Sequence, residues 1–177
     1  MQEYNTIVRC GNHADLSRLA KCDFSFEITS ELAEPFEGMR TNSVGQPYRK
    51  NYDYNANELA EALNRSDAGL FVAQVNDSPV GYLAVSQDWN NYALIQDFAV
   101  DAFYRGSGVG RLMMGSATKW SRERGLAGLR LETQSINVAA CRFYERYGFL
   151  LGGHDRYLYR GLHSGSQEVA LFWYLHF

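Results

Sequence analysis

The sequence predicts an α/β fold, in which a mixed and mostly antiparallel sheet is flanked by helices. Two apolar, β-rich runs, Leu70–Val75 and Val80–Ser86, indicate a hairpin, and strands then alternate with amphipathic helical segments towards the C-terminus. No repeat, low-complexity tract or polar linker interrupts the chain. Its 177 residues suit one domain, since domains run to roughly 100–200 residues. We therefore expect a single domain over residues 1–177.

The N-terminal third predicts short elements and one long loop. Asn5–Cys10 is typical of a strand, and Asn12–Ala20 of a short helix. Phe24–Thr29 alternates apolar and polar residues, which indicates a half-buried strand. Met39–Tyr54 lacks any such period and is rich in Asn, Gly, Tyr and Arg, so we expect an irregular loop. Asn55–Arg65 has apolar residues at helical spacing and predicts a second short helix.

The elements that follow the hairpin are better defined. Asn76–Pro79 is the expected hairpin connection, and Tyr92–Val100 is a third strand. Gly108–Arg124 has one apolar face and predicts an amphipathic helix. Leu129–Thr133 predicts a strand and Asn137–Tyr147 a helix. Three closing strands are expected: Phe149–Gly153, Tyr157–Arg160 and Glu168–Phe177.

Composition excludes several classes of protein. With 46% apolar and 21% charged residues the chain can bury a core, which excludes a disordered protein. A net charge of −3 gives no reason to expect nucleic acid or an anionic membrane as partner. The apolar run Val169–Leu175 is too short to span a bilayer. It suits either a buried strand or part of a homodimer surface.

The N-terminus and the cysteines predict a cytoplasmic protein. The first residues form neither a basic region nor an apolar stretch, so no secretion signal is expected. Cys10, Cys22 and Cys141 are odd in number and far apart, which fits neither a disulfide framework nor a metal site. We therefore expect a reducing compartment and no metal.

A glycine-rich segment, Arg105–Gly110, lies between a predicted strand and a predicted helix. Glycines let a backbone approach a ligand closely, and a helix N-terminus offers unpaired N–H groups and the positive end of a dipole. The segment therefore predicts an anion site suited to a pyrophosphate, with Arg105 and Arg111 as further donors. Its spacing excludes the dinucleotide and P-loop motifs. A simple tight turn is the alternative interpretation.

The same segment resembles part of a known family. Arg105-x-x-Gly108-x-Gly110, preceded by Asp97–Val100, resembles the coenzyme A signature of the GNAT superfamily of N-acetyltransferases. Three further segments match the rest of that signature in order and spacing: Leu131–Thr133, Asn137–Tyr144 and Tyr147–Phe149. The resemblance implies acetyl-coenzyme A as co-substrate. It also implies a cleft splayed between the strands at Leu94–Val100 and Gly128–Thr133.

A closer resemblance is to the streptothricin acetyltransferases, which inactivate that antibiotic. It extends over nearly the whole chain, with residues 1–40 the least recognisable part, and rests on these segments: Pro47–Tyr52, Asp88–Asn90, Arg130–Gln134, Asn137–Val138, Gly152–Asp155 and Phe172–Tyr174. The resemblance implies a small cationic antibiotic as substrate, with the β-lysine amine of streptothricin as acceptor.

Amine acetylation requires a proton acceptor for the ammonium, polarisation of the thioester carbonyl and a proton donor for the leaving thiolate. Tyr144, on a predicted helix, is the candidate acid, because a phenol can protonate a thiolate; a core aromatic is the alternative. Glu132, in an otherwise apolar strand, is the candidate base, with an ion pair to Arg130 as the alternative. Asp97 is the rival carboxylate, as base, as the group that binds the ammonium, or as the partner in a structural hydrogen bond.

The resemblance assigns further residues. The coenzyme would contact Phe98, Val100, Arg105, Gly106, Gly108, Val109, Gly110, Arg111, Asn137 and Tyr144. Residue type, rather than the resemblance, makes Trp89 and Tyr52 candidate substrate contacts beside Asp97 and Glu132. An aromatic wall around the substrate could be formed by Tyr48, Tyr52, Tyr54 and Trp89. The alternative is that these side chains pack in the core or at an interface. The acidic residues Asp23, Glu27, Glu31, Glu34 and Glu37 would attract a cation or form a solvated face.

Two other functions fit the same motifs. One is acetylation of a protein lysine or N-terminal amine. The other is a non-catalytic module that binds acetyl-coenzyme A, against which the presence of Glu132, Asp97 and Tyr144 argues. A nucleophilic role for Cys141 is disfavoured, because no histidine is near it in the sequence and a helical cysteine is more often a buried apolar residue.

Overall fold

The computed structural model describes residues 5–177. In this part of the chain there are nine strands: β1 (Thr6–Cys10), β2 (Phe26–Leu32), β3 (Thr41–Lys50), β4 (Ala68–Val75), β5 (Ser78–Gln87), β6 (Ala93–Val100), β7 (Gly128–Gln134), β8 (Leu150–Asp155) and β9 (Ala170–His176). The helices are α1 (His13–Leu19), α2 (Ala56–Leu63), α3 (Val109–Glu123) and α4 (Val138–Tyr147).

The chain forms two compact units. The first contains the residues up to Ser25, Asn51–Leu129 and Phe177, and the second contains Phe26–Lys50 and Arg130–His176. In the first unit the antiparallel order is β1-β4-β5-β6, and helices α1, α2 and α3 pack against these strands. In the second unit β2 pairs with β3, and β9 lies between β7 and β8. The expectation of one domain stays a prediction.

The hairpin of β4 and β5 forms the centre of the first unit. Asn76 and Asp77 both have positive φ, as a two-residue hairpin turn requires, because that backbone twist matches the twist of the paired strands. The turn is thus shorter than predicted, and β5 begins at Ser78. Both strands are almost entirely buried, which explains why they read as continuous apolar runs.

Strand β6 contains a bulge. Ala84 pairs with Asp97 and Val85 with Ile95, so that Gln96 is an extra residue on β6. A bulge bends the strand and changes the direction of the neighbouring side chains. It lies directly before Asp97, one of the predicted site residues.

Helices α3 and α4 begin and end as their capping residues predict. Gly108 is the N-cap of α3, and Gly148, with a positive φ, closes α4. Asn137 is the N-cap of α4, and its side chain accepts a hydrogen bond from the backbone N–H of Ala140 at 3.2 Å. This bond satisfies one of the free N–H groups of the first turn.

The apolar run Val169–Leu175, expected to be either a buried strand or part of a homodimer surface, lies mostly in strand β9. Ala170, Leu171 and Trp173 are buried, and β9 has a neighbouring strand on each side. The other residues of Val169–Leu175 are partly exposed, so most of the run is a half-buried strand, and a homodimer surface stays a prediction.

Three predictions about elements need correction. Met39–Tyr54 is not an irregular loop, because it contains the ten-residue strand β3. Almost all of β3 is exposed on both faces, so burial imposes no alternation on its sequence. The strand predicted at Phe24–Thr29 is displaced and runs over Phe26–Leu32. Tyr157–Arg160 is not a strand, since a 3-10 helix occupies Leu158–Gly161.

No helix among residues 5–177 is long and apolar enough to cross a membrane. The three cysteines of the chain are free thiols.

Candidate active site

The glycine-rich segment forms an open turn at the start of α3. Gly106 and Gly108 have φ of 77° and 92°, a region that residues with a Cβ adopt at a cost. A Cβ at either position would meet no atom within 4 Å, so the space beside the turn is open. No side chain caps the N-terminus of α3. The first turn therefore presents backbone N–H groups and the positive end of the helix dipole to this space.

Arg105 stabilises the turn. Its Nε donates to the carbonyl of Val100 at 2.9 Å, and its Nη1 donates to the carbonyl of Ser25 at 2.7 Å. These bonds fix the end of β6 relative to the turn. A contact between Arg105 and a phosphate stays a prediction, as does the one proposed for Arg111.

Asp97 has defined polar contacts inside the first unit. The Tyr82 hydroxyl donates to Asp97 Oδ2 at 2.7 Å. Burial raises the pKa of Asp97, and the hydrogen bonds from Tyr82 and from the backbone of Phe98 oppose that rise. The carboxylate therefore lies in a partly desolvated position without losing its polar contacts.

Glu132 lies on β7 in the second unit. Leu129, Leu131 and Thr133 are buried, and Glu132 alternates with them, as the strand period predicts. The Glu132 carboxylate forms no hydrogen bond or ion pair within the described chain, so the alternative of an ion pair with Arg130 is not observed. The side chain still contacts solvent, yet the protein atoms around it remove enough water to raise its pKa to about 7. Such a carboxyl can exchange a proton near neutral pH.

Tyr144 lies on α4 among aromatic rings. Its ring centroid is 5.7 Å from that of Phe149 and 6.2 Å from that of Trp173. The side chain is 7% exposed, so the ring is packed among its neighbours, and the proposed role of its hydroxyl stays a prediction. Asn137 precedes α4 instead of lying within it, and its side-chain oxygen is used by the cap. The amide nitrogen of Asn137 is thus the part that could bind a ligand.

The aromatic residues predicted to contact the substrate differ in exposure. Trp89 is 90% exposed in the turn between β5 and β6, and Tyr52 is also exposed. Tyr54 instead packs in the core of the first unit, where its ring contacts those of Phe24 and Tyr82. Packing is therefore the observed role of Tyr54. Substrate contacts of Trp89 and Tyr52 stay predictions.

Two of the five acidic residues singled out by the sequence have partners. Glu34 forms a two-point ion pair with Arg156, with distances of 2.8 and 2.9 Å. Asp23 accepts hydrogen bonds from the backbone and hydroxyl of Ser25. The ion pair compensates the charge of Glu34, whereas the neutral donors of Ser25 leave the negative charge of Asp23 in place.

A concavity of about 940 Å³ in the second unit was not predicted. Polar residues dominate its lining: Glu31, Glu34, Arg40, Thr41, Asn42, Ser135 and Gln167, beside Leu32, Ala33, Phe36, Met39 and Val169. They come from three distant segments, so sequence spacing carries no sign of the concavity. The acidic pattern that includes Glu31 and Glu34 was the available signal.

The chemistry of Cys141 is that of a buried thiol. Burial raises its pKa to about 12, so the nucleophilic thiolate is disfavoured at neutral pH. Within residues 5–177 no group of His, Cys, Asp and Glu side chains could hold a metal ion.

Comparison with known proteins gives consistent matches. A model of the acetyltransferase (GNAT) family matches residues 27–149. Streptothricin acetyltransferase A of Bacillus subtilis (strain 168) is 32% identical over 169 residues, which cover 93% of this chain and 96% of the relative. A streptothricin acetyltransferase of Escherichia coli is 36% identical over 136 residues, covering 77% of this chain and 74% of the relative.

A solved structure matches the whole chain. It is a Bacillus anthracis str. Ames protein assigned as a streptothricin acetyltransferase and crystallised in complex with acetyl coenzyme A. It superposes with a TM-score of 0.83 at 35% identity and covers 98% of this chain and 100% of its own. This match confirms the predicted mixed α/β fold.

Proposed function

Because the chain belongs to the acetyltransferase (GNAT) family and is an N-acetyltransferase that uses acetyl-coenzyme A, we propose that it acetylates a cationic antibiotic. The proposed acceptor is the β-lysine amine of streptothricin, and the proposed outcome is resistance to the drug. The observation that carries this proposal is the extent of the similarity: relatives named as streptothricin acetyltransferases match nearly the full chain.

The first turn of α3 would hold the coenzyme. The open space beside Gly106 and Gly108 would receive the pyrophosphate, and the uncapped N–H groups of Val109 and Gly110 would donate to it. Asn137, through its amide nitrogen, and the backbone of Phe98 and Val100 would bind the pantetheine arm. Acetyl-coenzyme A supplies the activated acetyl group, so no covalent intermediate on the enzyme is needed.

Glu132 and Tyr144 would move the protons. An ammonium group with a reference pKa of ~10.4 cannot attack a carbonyl. Glu132 would accept its proton, and the free amine would then form the C–N bond to the acetyl carbon. As the C–S bond breaks, the Tyr144 hydroxyl would donate its proton to the coenzyme thiolate, and the second proton that the nitrogen loses as the amide forms would restore that hydroxyl. Burial prepares Glu132 for this role, because a pKa of about 7 makes the carboxylate a stronger base than an ordinary glutamate.

The direct experiment mixes the protein, acetyl-coenzyme A and streptothricin, and follows thiol release and product mass. We expect thiol release to match the appearance of drug that carries one added acetyl group. Thiol release without acetylated drug would indicate hydrolysis of the coenzyme thioester and would contradict the proposal. Peptides with a free lysine or N-terminal amine serve as competing acceptors. If they are acetylated and streptothricin is not at any accessible pH, the protein-acetylating alternative replaces the proposal.

A further inference from the structure

Tyr82 on β5 and Asp97 on β6 lie on the same face of the sheet. In the antiparallel register Tyr82 pairs with Ala99 and Ala84 pairs with Asp97, so Tyr82 and Asp97 are diagonal neighbours. The Tyr82 hydroxyl reaches across this diagonal and donates to Asp97 Oδ2. The bond lies next to the β6 bulge at Gln96, where the strand pairing changes register.

The Tyr82 ring is fixed by packing. It is 3% exposed, and the rings of Phe24 and Tyr54 lie edge-on to it at 5.3 and 5.7 Å between centroids. The hydroxyl of Tyr54 donates to the carbonyl of Leu16 at 2.8 Å and does not compete for Asp97. The Tyr82 hydroxyl therefore has one defined acceptor, and it occupies one carboxylate oxygen of Asp97.

Asp97 has no cationic partner among the residues that the structure describes. The groups that face it are the Tyr82 hydroxyl, the backbone N–H of Phe98 and, at longer range, Tyr54 and the carboxylate of Glu58 on α2. Neither tyrosine is ionised at neutral pH, since burial raises the pKa of both. A partly buried carboxylate is costly without a positive charge nearby, and a bound cation would supply one.

We propose that Tyr82 is a positioning residue, which holds Asp97 as the counter-ion for the ammonium group of the substrate. This inference rests on the proposed function, since the ammonium group belongs to the cationic acceptor. The hydroxyl fixes the carboxylate by occupying Oδ2 and favours its charged form by donating to it. Without the hydroxyl, Asp97 takes up a proton at higher pH and attracts a cation less.

The first test measures the ionisation of Asp97 without using activity. Protein labelled with ¹³C at the aspartate carboxyls is titrated by NMR, and the Asp97 signal is identified by its loss in Asp97→Asn. We expect Tyr82→Phe to raise the Asp97 midpoint by about one to two pH units, the usual effect of losing one hydrogen bond to a charged group. Tyr54→Phe is the matched control, because it removes a hydroxyl from the same aromatic cluster that does not bond to Asp97. The titration midpoint of Asp97 in Tyr54→Phe should equal that in wild type. Equal midpoints in Tyr82→Phe and wild type would overturn the inference, as would an equal shift in both variants.

The second test measures acetyl transfer to streptothricin across the pH range. We divide kcat/KM of the wild type by kcat/KM of Tyr82→Phe. This ratio should be largest at low pH and should fall as pH rises, and it should arise mainly from a higher KM in the variant. A ratio that is the same at every pH would indicate a purely structural role and would overturn the inference.

Asp97→Asn keeps the proposal testable if Tyr82→Phe does not fold, because the amide oxygen still accepts from Tyr82. It should raise KM for streptothricin at pH values at which Asp97 of the wild type is ionised, and the difference should shrink as Asp97 of the wild type becomes protonated. Unchanged KM in a folded Asp97→Asn variant would contradict the counter-ion role. If wild type does not acetylate streptothricin, the proposed function fails, whereas the NMR titration still decides whether Tyr82 controls Asp97.

Discussion

Replacement of Glu132 by Gln tests the proposed general base, and the structure predicts the pH at which the effect appears. Burial raises the pKa of Glu132 from 4.5 to about 7. Only the ionised form accepts a proton, so kcat/KM of the wild type should rise with pH and bend near pH 7. Two pH units below the pKa about 1% of the carboxyl is ionised. The contribution of this base should therefore be about 100-fold lower at pH 5 than on the plateau.

Glutamine keeps the size and shape of the side chain but cannot accept the proton. At pH 8 we expect Glu132→Gln to lower kcat/KM by about 10²–10⁴-fold, the usual contribution of general acid–base catalysis. The bend near pH 7 should disappear, and the remaining rise with pH should follow deprotonation of the amine alone. The assay is thiol release with streptothricin from pH 5 to pH 9.

Two measurements distinguish loss of the general base in Glu132→Gln from impaired folding or impaired coenzyme binding. Calorimetry should give the same affinity for acetyl-coenzyme A in Glu132→Gln and in wild type. The melting temperature at pH 8 should not fall. A carboxyl whose pKa rises on folding stabilises the protein fully below pH 4.5 and loses that contribution as pH rises to about 7, so the neutral amide removes a penalty.

The comparison variant is Asp97→Asn. Suppose that it abolishes turnover, while Glu132→Gln stays near wild type and keeps its bend. The reasoning from the pKa of Glu132 would then be wrong, and Asp97 would be the base.

Three further outcomes are expected. Gly108→Asp should weaken acetyl-coenzyme A binding in calorimetry, because it places a negative charge beside the first turn of α3; Gly115→Asp, exposed later on the same helix, should bind like wild type. Tyr144→Phe keeps the packing of the ring, so it should lower kcat and leave the melting temperature unchanged. The decrease in kcat should be smaller for an acetyl donor with a more acidic thiol. Asp15→Asn should destabilise the protein at pH 7 by about 2 kcal/mol, because it removes the negative charge and one acceptor oxygen from the two-point ion pair that Arg9 forms, at 2.6 and 2.8 Å, with a carboxylate that is 2% exposed. Arg9 lowers the pKa of Asp15, so this contribution is present above pH 3.8 and is lost as pH falls below it. The difference in urea-unfolding free energy between the variant and wild type should therefore shrink in acid.

Much of the first unit could be predicted from local signals. The β4–β5 hairpin follows from apolar runs and a turn sequence, and α3 from its apolar period and its glycines. The glycine-rich turn of Arg105–Gly110 and the start of α3 could be predicted because helix caps and turns depend on residues close together in the chain. The same is true of Glu132, whose place on the strand follows from alternation. These signals act over a few residues, so one sequence suffices to read them.

Other features depend on what lies opposite in space. β3 is a strand because it pairs with β2, although its own residues have no apolar period. The bulge at Gln96 and the bond from Tyr82 to Asp97 arise from the pairing of β5 with β6. The partners of Glu34 and Asp23, and the concavity beside Glu31, likewise follow from folding. Burial, pairing and counter-ions are properties of the surroundings of a residue, and folding brings those surroundings from distant parts of the chain. The sequence therefore supplied the candidate carboxylates, and only the folded protein assigned each one its pKa and its partners.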